Sequence, residues 1–264
     1  MTKSPSATPD APADDPSRGR SPADPAHEAS LLRAFARGAA LVLLKDLRIE
    51  AATREIVTTA AFFAVLVAIL ASVAFVGGPH TDTRIAPGAI WLAVAFSAVL
   101  ALGRSWQRER EESALVGLLV SPIPRAAIWA GKAAGVFAFV SAVEVVIVPL
   151  VAVLFRADLW PVAGPLVVVM VLGTVGVAAT GTLFGAMTVR TRARELLLAT
   201  VLFPLLSPAL ISSVAATREM FYAAAAVGQP VELSEVGDYL RLLVVFDAVA
   251  IAGGLTMFGA LVED

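Results

Sequence analysis

Six long apolar stretches constrain the fold of this 264-residue chain more than any other feature of its sequence. Each is long enough for an α-helix to cross the hydrocarbon core of a bilayer, which takes ~20 residues, and the third and fourth are longer than that. In chain order they occupy residues 56–77, 85–102, 126–155, 161–189, 196–215 and 239–261. Hydrophobic residues make up 58% of the chain, which is more apolar surface than a water-soluble domain can bury. The sequence therefore predicts an all-α integral membrane protein with six transmembrane helices.

The region before the first stretch divides into two parts. Residues 1–30 are rich in Pro, Ala, Asp and Ser and contain no apolar run, so we expect a disordered cytoplasmic tail without a secretory signal. From Leu31, apolar residues recur at helical spacing among basic residues, which predicts an amphipathic helix in the headgroup region. The same pattern also fits an ordinary packed helix. Residues 31–264 are predicted to form the membrane domain.

Basic residues favour one side of the predicted bundle. The side that holds the amino terminus carries Arg33, Arg37, Lys45, Arg48, Arg54, Arg104, Arg108, Arg110, Arg125, Arg190, Arg192 and Arg194. The opposite loops carry Arg84, Arg156, Arg218 and Arg241 among six acidic residues. Because short cytoplasmic loops are enriched in Lys and Arg, both termini are predicted to be cytoplasmic.

A charged segment, residues 104–125, joins the second and third stretches. Charged residues come first, then leucines at helical spacing, and then the stop Ser-Pro-Ile-Pro at residues 121–124. This order predicts a short amphipathic helix at the membrane face, suited to docking a soluble partner. A solvated charged loop is the alternative.

Several classes of function are excluded by residues that the sequence lacks. There is no cysteine, so thiol nucleophiles and Cys-ligated metals are excluded. No phosphate-binding loop of the Gly-x-x-x-x-Gly-Lys-Ser/Thr type occurs, so the chain has no ATPase motif of its own. Its two histidines, His27 and His80, cannot form a multi-histidine metal site. The net charge of −2 and the dispersed basic residues give no indication of nucleic-acid binding. We predict a protein that is not an enzyme.

Two carboxylates stand inside apolar stretches: Glu144 in the third and Asp247 in the sixth. A charge at mid-bilayer costs roughly 2.5–3.5 kcal/mol on insertion scales, so each should face protein or a wet cavity. One hypothesis is that they line a transport pathway. The alternative is a hydrogen-bonded carboxyl group in a helix interface. Glycines that should permit close helix contact occur at Gly131, Gly135, Gly181, Gly185, Gly253 and Gly254.

Several of these sequence runs resemble haem exporter protein B, the membrane subunit of the ABC transporter in bacterial cytochrome c maturation. The most specific block runs from RIAPGAIW at residues 84–91, through LLVSPIP at 118–124, to Lys132. The runs LGTVG at 172–176, GAMT at 185–188 and FPLLSP at 203–208 are also similar to that family. The resemblance extends from about Leu31 to the end of the chain.

The resemblance implies a dimeric ABC-2 type permease in the bacterial inner membrane, paired with two copies of a separate ATP-binding subunit that holds ATP and Mg²⁺. Its implied task is ATP-driven haem export, or release of a haem-loaded periplasmic chaperone, beside other haem-handling membrane subunits. In that picture a coupling helix, from about Glu111 to Val120, sits in a cleft of the ATPase. Its contact residues and the turn that follows are Glu111, Glu112, Leu115, Leu118, Leu119, Ser121, Pro122 and Pro124.

In this picture haem is the transported cargo. No cofactor is assigned to the chain itself. His80 and Arg84, at the predicted outer mouth, are candidate haem contacts. A lone loop histidine is also often simply solvated. Two rival functions stay open: an ABC-2 permease for a drug, lipid or polysaccharide, and a membrane enzyme or secondary transporter without an ATPase.

Overall fold

The computed structural model describes residues 25–75, 81–111, 117, 120–188, 194–227 and 230–263. Across these residues the regular structure is helical and no strand occurs. The helices are α1 (Pro25–Thr53), α2 (Glu55–Ala74), α3 (Thr81–Glu111), α4 (Arg125–Leu154), α5 (Ala163–Thr188), α6 (Arg194–Val227) and α7 (Gly237–Glu263). Short 3₁₀ turns at Trp160–Val162 and Leu233–Val236 precede α5 and α7.

Six of these helices, α2 to α7, are long and apolar enough to cross a membrane, which confirms the prediction of six transmembrane helices. The six helices differ in how far they are buried by the others. α3 is the most enclosed, with 67% of its most apolar stretch buried, and α7 is the least enclosed, with 22%. The fifth span was predicted to stop at residue 215, whereas α6 continues to Val227. Arg218 and Glu219 end the apolar run there but are exposed, and the alanines that follow favour helix.

The amino-terminal helix begins earlier than the sequence predicted. α1 starts at Pro25, six residues before the predicted boundary between the tail and the helix. Proline at a helix start loses no hydrogen bond, and the alanines and Glu28 beyond it are suited to a first turn. Residues 1–24 lie outside the described part of the chain.

α1 packs along α4, and the two helices run in the same direction. A Cβ on Gly38 would touch Ala127 at 3.3 Å, while Gly131 lies against Val42 and Gly135 against Asp46. The buried face of α1 therefore includes Gly38, Val42, Asp46 and Glu50, spaced four residues apart. Leu31, Leu32, Leu41 and Leu44 are exposed. The packed-helix alternative explains the inner face of α1, and its outer leucines are free to meet lipid.

Three of the predicted glycine contacts bring other helices together. A side chain at Gly181 would collide with Leu102, and one at Gly185 with Trp106, so α5 lies close to α3. Gly254 on α7 lies against the ring of Trp129 on α4. Gly253, its neighbour, has only an ordinary contact with Leu183 at 3.8 Å. Close helix approach depends on Gly254 and not on Gly253.

Candidate functional site

Residues 104–111 of the charged segment form the end of α3, and the remainder, residues 112–124, connects α3 to α4 and is called the coupling segment below. α3 ends at Glu111, and the chain bends at residues 121–123 before α4 begins at Arg125. Pro124 occupies the N-cap of α4 with φ −54°, a value that the proline ring holds without strain. The predicted contact residues Glu112, Leu115, Leu118 and Leu119 lie outside the described residues, as does the side chain of Glu111.

The returning end of the coupling segment contacts α1. Ser121 is half-buried and Pro122 is exposed. The side chain of Ile123 packs directly on Gly38, where a Cβ would lie 2.8 Å from its Cγ2 atom. This contact is close enough that a larger residue at position 38 would displace Ile123. α1 therefore forms one wall for the coupling segment.

Four charged side chains meet just inside this segment and form what we call the charged cluster: Lys45, Asp46, Glu109 and Lys132. Lys45 Nζ lies 2.5 Å from Glu109 Oε1 and 2.9 Å from Asp46 Oδ1. Lys132 Nζ lies 2.8 Å from Asp46 Oδ2 and also pairs with Glu109 Oε1. The charged cluster therefore joins α1, α3 and α4.

Opposite charges balance within the charged cluster. Its two lysines face two carboxylates, and the side chains of Lys132 and Glu109 are only 2% and 3% exposed. Lys132 also lies over the ring of Trp106, 5.9 Å from its centroid, which adds a cation–π contact. Burial lowers the pKa of Lys45, but its hydrogen bond to Glu109 and the charge of Asp46 outweigh burial and raise the pKa above 10.5. Lys45 therefore stays positively charged at neutral pH.

A second set of ion pairs joins α1, α2 and α3 beside the charged cluster. Arg108 Nη2 lies 3.7 Å from Glu50 and 3.6 Å from Glu55, and Arg104 Nη1 lies 3.0 Å from Glu55. Glu50 also accepts a hydrogen bond from the backbone N–H of Val57 at 2.8 Å. Together, the two sets of ion pairs join α3 to α1, α2 and α4, and they join α4 to α1.

Sequence reasoning missed the charged cluster as a site. It used Lys45 only to orient the chain and Lys132 only as part of a family resemblance. A usable signal was present, because a lysine eight residues into an apolar helix requires an acidic partner. The sequence alone did not identify that partner, since Asp46, Glu109 and several other acids were available.

Both intramembrane carboxylates are buried, and both contact α5. Glu144 on α4 accepts a hydrogen bond from Thr174 Oγ1. Asp247 on α7 packs against Gly176, and neither of its oxygens has a hydrogen-bond partner among the described residues. Glu144 also borders a cavity of about 310 Å³ between α4 and α5, walled by Val145, Val148, Pro149, Leu166, Val167, Met170 and Val171. The contacts of Glu144 fit the alternative of a hydrogen-bonded carboxyl group in a helix interface. Asp247 has no hydrogen bond of this kind among the described residues.

Of the two candidate haem contacts, only Arg84 lies among the described residues. His80 lies outside the described residues. Arg84 is exposed, and its guanidinium carbon lies 5.9 Å from the centroid of the Tyr222 ring. Within the described residues, no group of three or more His, Asp or Glu side chains could hold a metal ion.

Comparison with known proteins adds independent information. The sequence model of the family described as CcmB protein matches residues 37–259. Heme exporter protein B of Paracoccus denitrificans is 30% identical over 179 residues, which cover 67% of this chain and 81% of that protein. Heme exporter protein B of Bradyrhizobium diazoefficiens is 26% identical over 148 residues, which cover 56% of this chain and 66% of that protein. Because the family match includes α2 to α7 and most of α1, this chain belongs to the CcmB protein family.

Proposed function

We propose that this chain is the membrane permease subunit of an ABC transporter for cytochrome c maturation. It couples ATP hydrolysis by a partner subunit to haem export, or to release of a haem-loaded chaperone at the periplasmic face. The observation that carries the proposal is the family match over residues 37–259, together with two relatives named heme exporter protein B. The chain spans 66% and 81% of the lengths of those relatives.

The geometry supports a coupling role for the segment between α3 and α4. A lever that transmits a partner's motion must be held firmly at its base, because a loose attachment would absorb the displacement. Glu109 and Lys132, on the two sides of the segment, are buried and paired. In the proposed mechanism, an ATPase dimer grips the helix that includes Leu118 and Leu119, and the charged cluster passes its displacement to α3, α4 and α1.

The proposal includes a topology and a set of partners. Both termini lie in the cytoplasm, and the protein resides in the bacterial inner membrane. It assembles with a second copy of itself, two ATPase subunits, other haem-handling membrane subunits and the periplasmic haem chaperone. Haem is the cargo, and ATP and Mg²⁺ bind the partner. Asp247 borders the pathway, and His80 and Arg84 lie at its outer mouth.

One experiment tests the docking and the task together. The chromosomal gene is replaced by a Leu118→Asp/Leu119→Asp variant, the ATPase is pulled down with it, and covalent haem is stained in the c-type cytochromes. We expect loss of both ATPase copurification and haem staining, because charged side chains would not be accommodated in an apolar cleft that the two leucines are proposed to fill. The matched control is Leu233→Asp, which introduces the same change at an exposed turn before α7.

Each result has a distinct meaning. Normal ATPase recovery with the double variant would contradict the docking contact. Normal haem staining in a strain that lacks the gene would overturn the cytochrome task and favour an ABC-2 permease for another substrate. ATP hydrolysis by the purified chain alone would contradict the division of labour between subunits.

A further inference from the structure

A groove opens at the elbow where α1 turns into α2. Its volume is about 320 Å³, and its walls come from α1, α2 and α4, within the range of about 300–1,000 Å³ that is typical of small-molecule sites. The lining residues are Leu47, Glu50, Ala51, Arg54, Val57, Thr58, Ala138, Phe139 and Ala142. Six of these nine side chains are hydrocarbon. The other three, Glu50, Arg54 and Thr58, lie near the elbow.

Arg54 forms the elbow itself. It is the one residue between α1 and α2, and its backbone is left-handed, with φ 54° and ψ 19°. Its N–H donates to the carbonyl of Glu50 at 2.6 Å, which ends α1. Glycine would be the easier residue at such a φ, yet the chain places an exposed guanidinium group there, at the edge of the groove.

The positive charge of Arg54 is not used within the described structure. The carboxylates nearest in sequence, Glu50 and Glu55, pair with Arg108 and Arg104. Glu50 is further occupied by the N–H of Val57. Among the described residues, Arg54 is therefore a cation without an acidic partner.

The position of the groove identifies its occupant. α2 is a membrane span that begins at Glu55, so Arg54 lies where lipid headgroups meet the protein. Below it, Val57 of α2 and Phe139 of α4 continue the groove along the two spans, into the hydrocarbon region. An anionic group at the top with an apolar chain beneath is the chemistry of a phospholipid, and arginine binds phosphate through paired hydrogen bonds.

We propose that the groove at the α1–α2 elbow binds one phospholipid, with its phosphate on Arg54 and an acyl chain between Leu47, Val57 and Phe139. The bound lipid fills the wedge between α1 and the spans α2 and α4. It thereby fixes the angle of the helix that forms a wall of the coupling segment. This site is separate from the proposed transport function and exists whether or not haem is the cargo.

The test counts lipids on the intact chain. The full-length protein is reconstituted in nanodiscs of phosphatidylglycerol and phosphatidylcholine, extracted with mild detergent and examined by native mass spectrometry. Two variants attack the site in different ways: Arg54→Gln removes the phosphate contact, and Ala51→Phe fills the groove without changing charge. Two matched controls leave it intact: Arg48→Gln removes an exposed charge of the same helix, and Ala52→Phe enlarges the exposed neighbouring alanine.

We expect one retained phospholipid per wild-type chain and a loss of about tenfold or more in lipid affinity for Arg54→Gln, the effect of one charge-assisted contact. Ala51→Phe should lose the lipid as well, while both controls keep it. Equal retention by all four variants would overturn the proposal, and so would an equal loss with Arg48→Gln, which would indicate diffuse attraction. Displacement of the retained mass by inorganic phosphate would identify an anion site instead. Loss of dimer mass with Ala51→Phe would assign the groove to a second copy of the chain.

Discussion

Lys132 of α4 and Glu109 of α3 form a buried ion pair across the two ends of the coupling segment. The pair joins the helix that ends before that segment to the helix that begins after it. Removing one partner of a buried ion pair leaves an uncompensated charge, at a cost of about 3–5 kcal/mol, whereas removing both is often tolerated. The pairing within the charged cluster can therefore be tested by comparing single with double substitutions.

The first prediction concerns that charge balance. Lys132→Met should lower stability by about 3–5 kcal/mol, because Asp46 and Glu109 would then share only Lys45. Adding Glu109→Gln restores neutrality, so the double variant should be more stable than Lys132→Met alone. Thermal unfolding of the detergent-purified chain, followed by tryptophan fluorescence, measures both effects.

The control for this prediction is an exposed pair. Arg241 and Asp238 lie 2.9 Å apart on α7 with side chains that are 82% and 91% exposed. Such pairs contribute about 0–1 kcal/mol, so Arg241→Gln should barely change the midpoint. The prediction would fail if Lys132→Met/Glu109→Gln lost as much stability as the separate losses of Lys132→Met and Glu109→Gln added together, because the two charges would then not interact.

A second prediction uses two neighbouring glycines. Gly254→Ala should destabilise the fold by about 1–3 kcal/mol, since the new methyl group would overlap the ring of Trp129. Gly253→Ala should be neutral or stabilising by up to about 1 kcal/mol, because alanine favours helix and the site has room. The same unfolding measurement compares them, and equal midpoints would refute the close packing of α7 on α4.

The six spans could be predicted from sequence because transmembrane length and hydropathy are local properties. The ends were harder to predict. The fifth span was predicted to end at residue 215, before Arg218 and Glu219, but α6 continues through them to Val227. Charge ends an apolar run without ending a helix, since hydrogen bonds within the backbone are unaffected. Pro25 was assigned to a tail for a similar reason, because composition does not show where helix begins.

The partners of polar residues could not be predicted in the same way. Lys132 lies 23 residues from Glu109 and pairs with it, and Trp91 donates to Thr217 across 126 residues. Such contacts depend on which faces of the helices meet. Periodicity identifies a face of one helix but not the helix that covers it. The docking face of the coupling helix stays a prediction, because Leu118 and Leu119 lie outside the described residues.

A third prediction concerns the long-range contact between α3 and α6. Trp91 Nε1 donates to Thr217 Oγ1 at 2.9 Å, and Thr217 in turn donates to the carbonyl of Ser213 at 2.8 Å. Thr217→Val keeps the shape but leaves the buried indole N–H without its acceptor, which should cost about 1–3 kcal/mol. Thr256→Val is the control, because exposed Thr256 bonds only to carbonyls of its own helix. A midpoint for Thr217→Val equal to that of the control would contradict this role.

The last prediction separates stability from transport at Asp247. Its carboxylate is buried on α7 without a hydrogen-bond partner among the described residues, and a buried charge in a membrane span is costly. If Asp247 is retained for transport, Asp247→Asn should raise the unfolding midpoint while it lowers covalent haem in the c-type cytochromes. Asp238→Asn, at an exposed position of the same helix, should change neither quantity. Full haem staining with Asp247→Asn would remove this residue from the pathway, and a lower midpoint would mean that its carboxylate stabilises the fold after all.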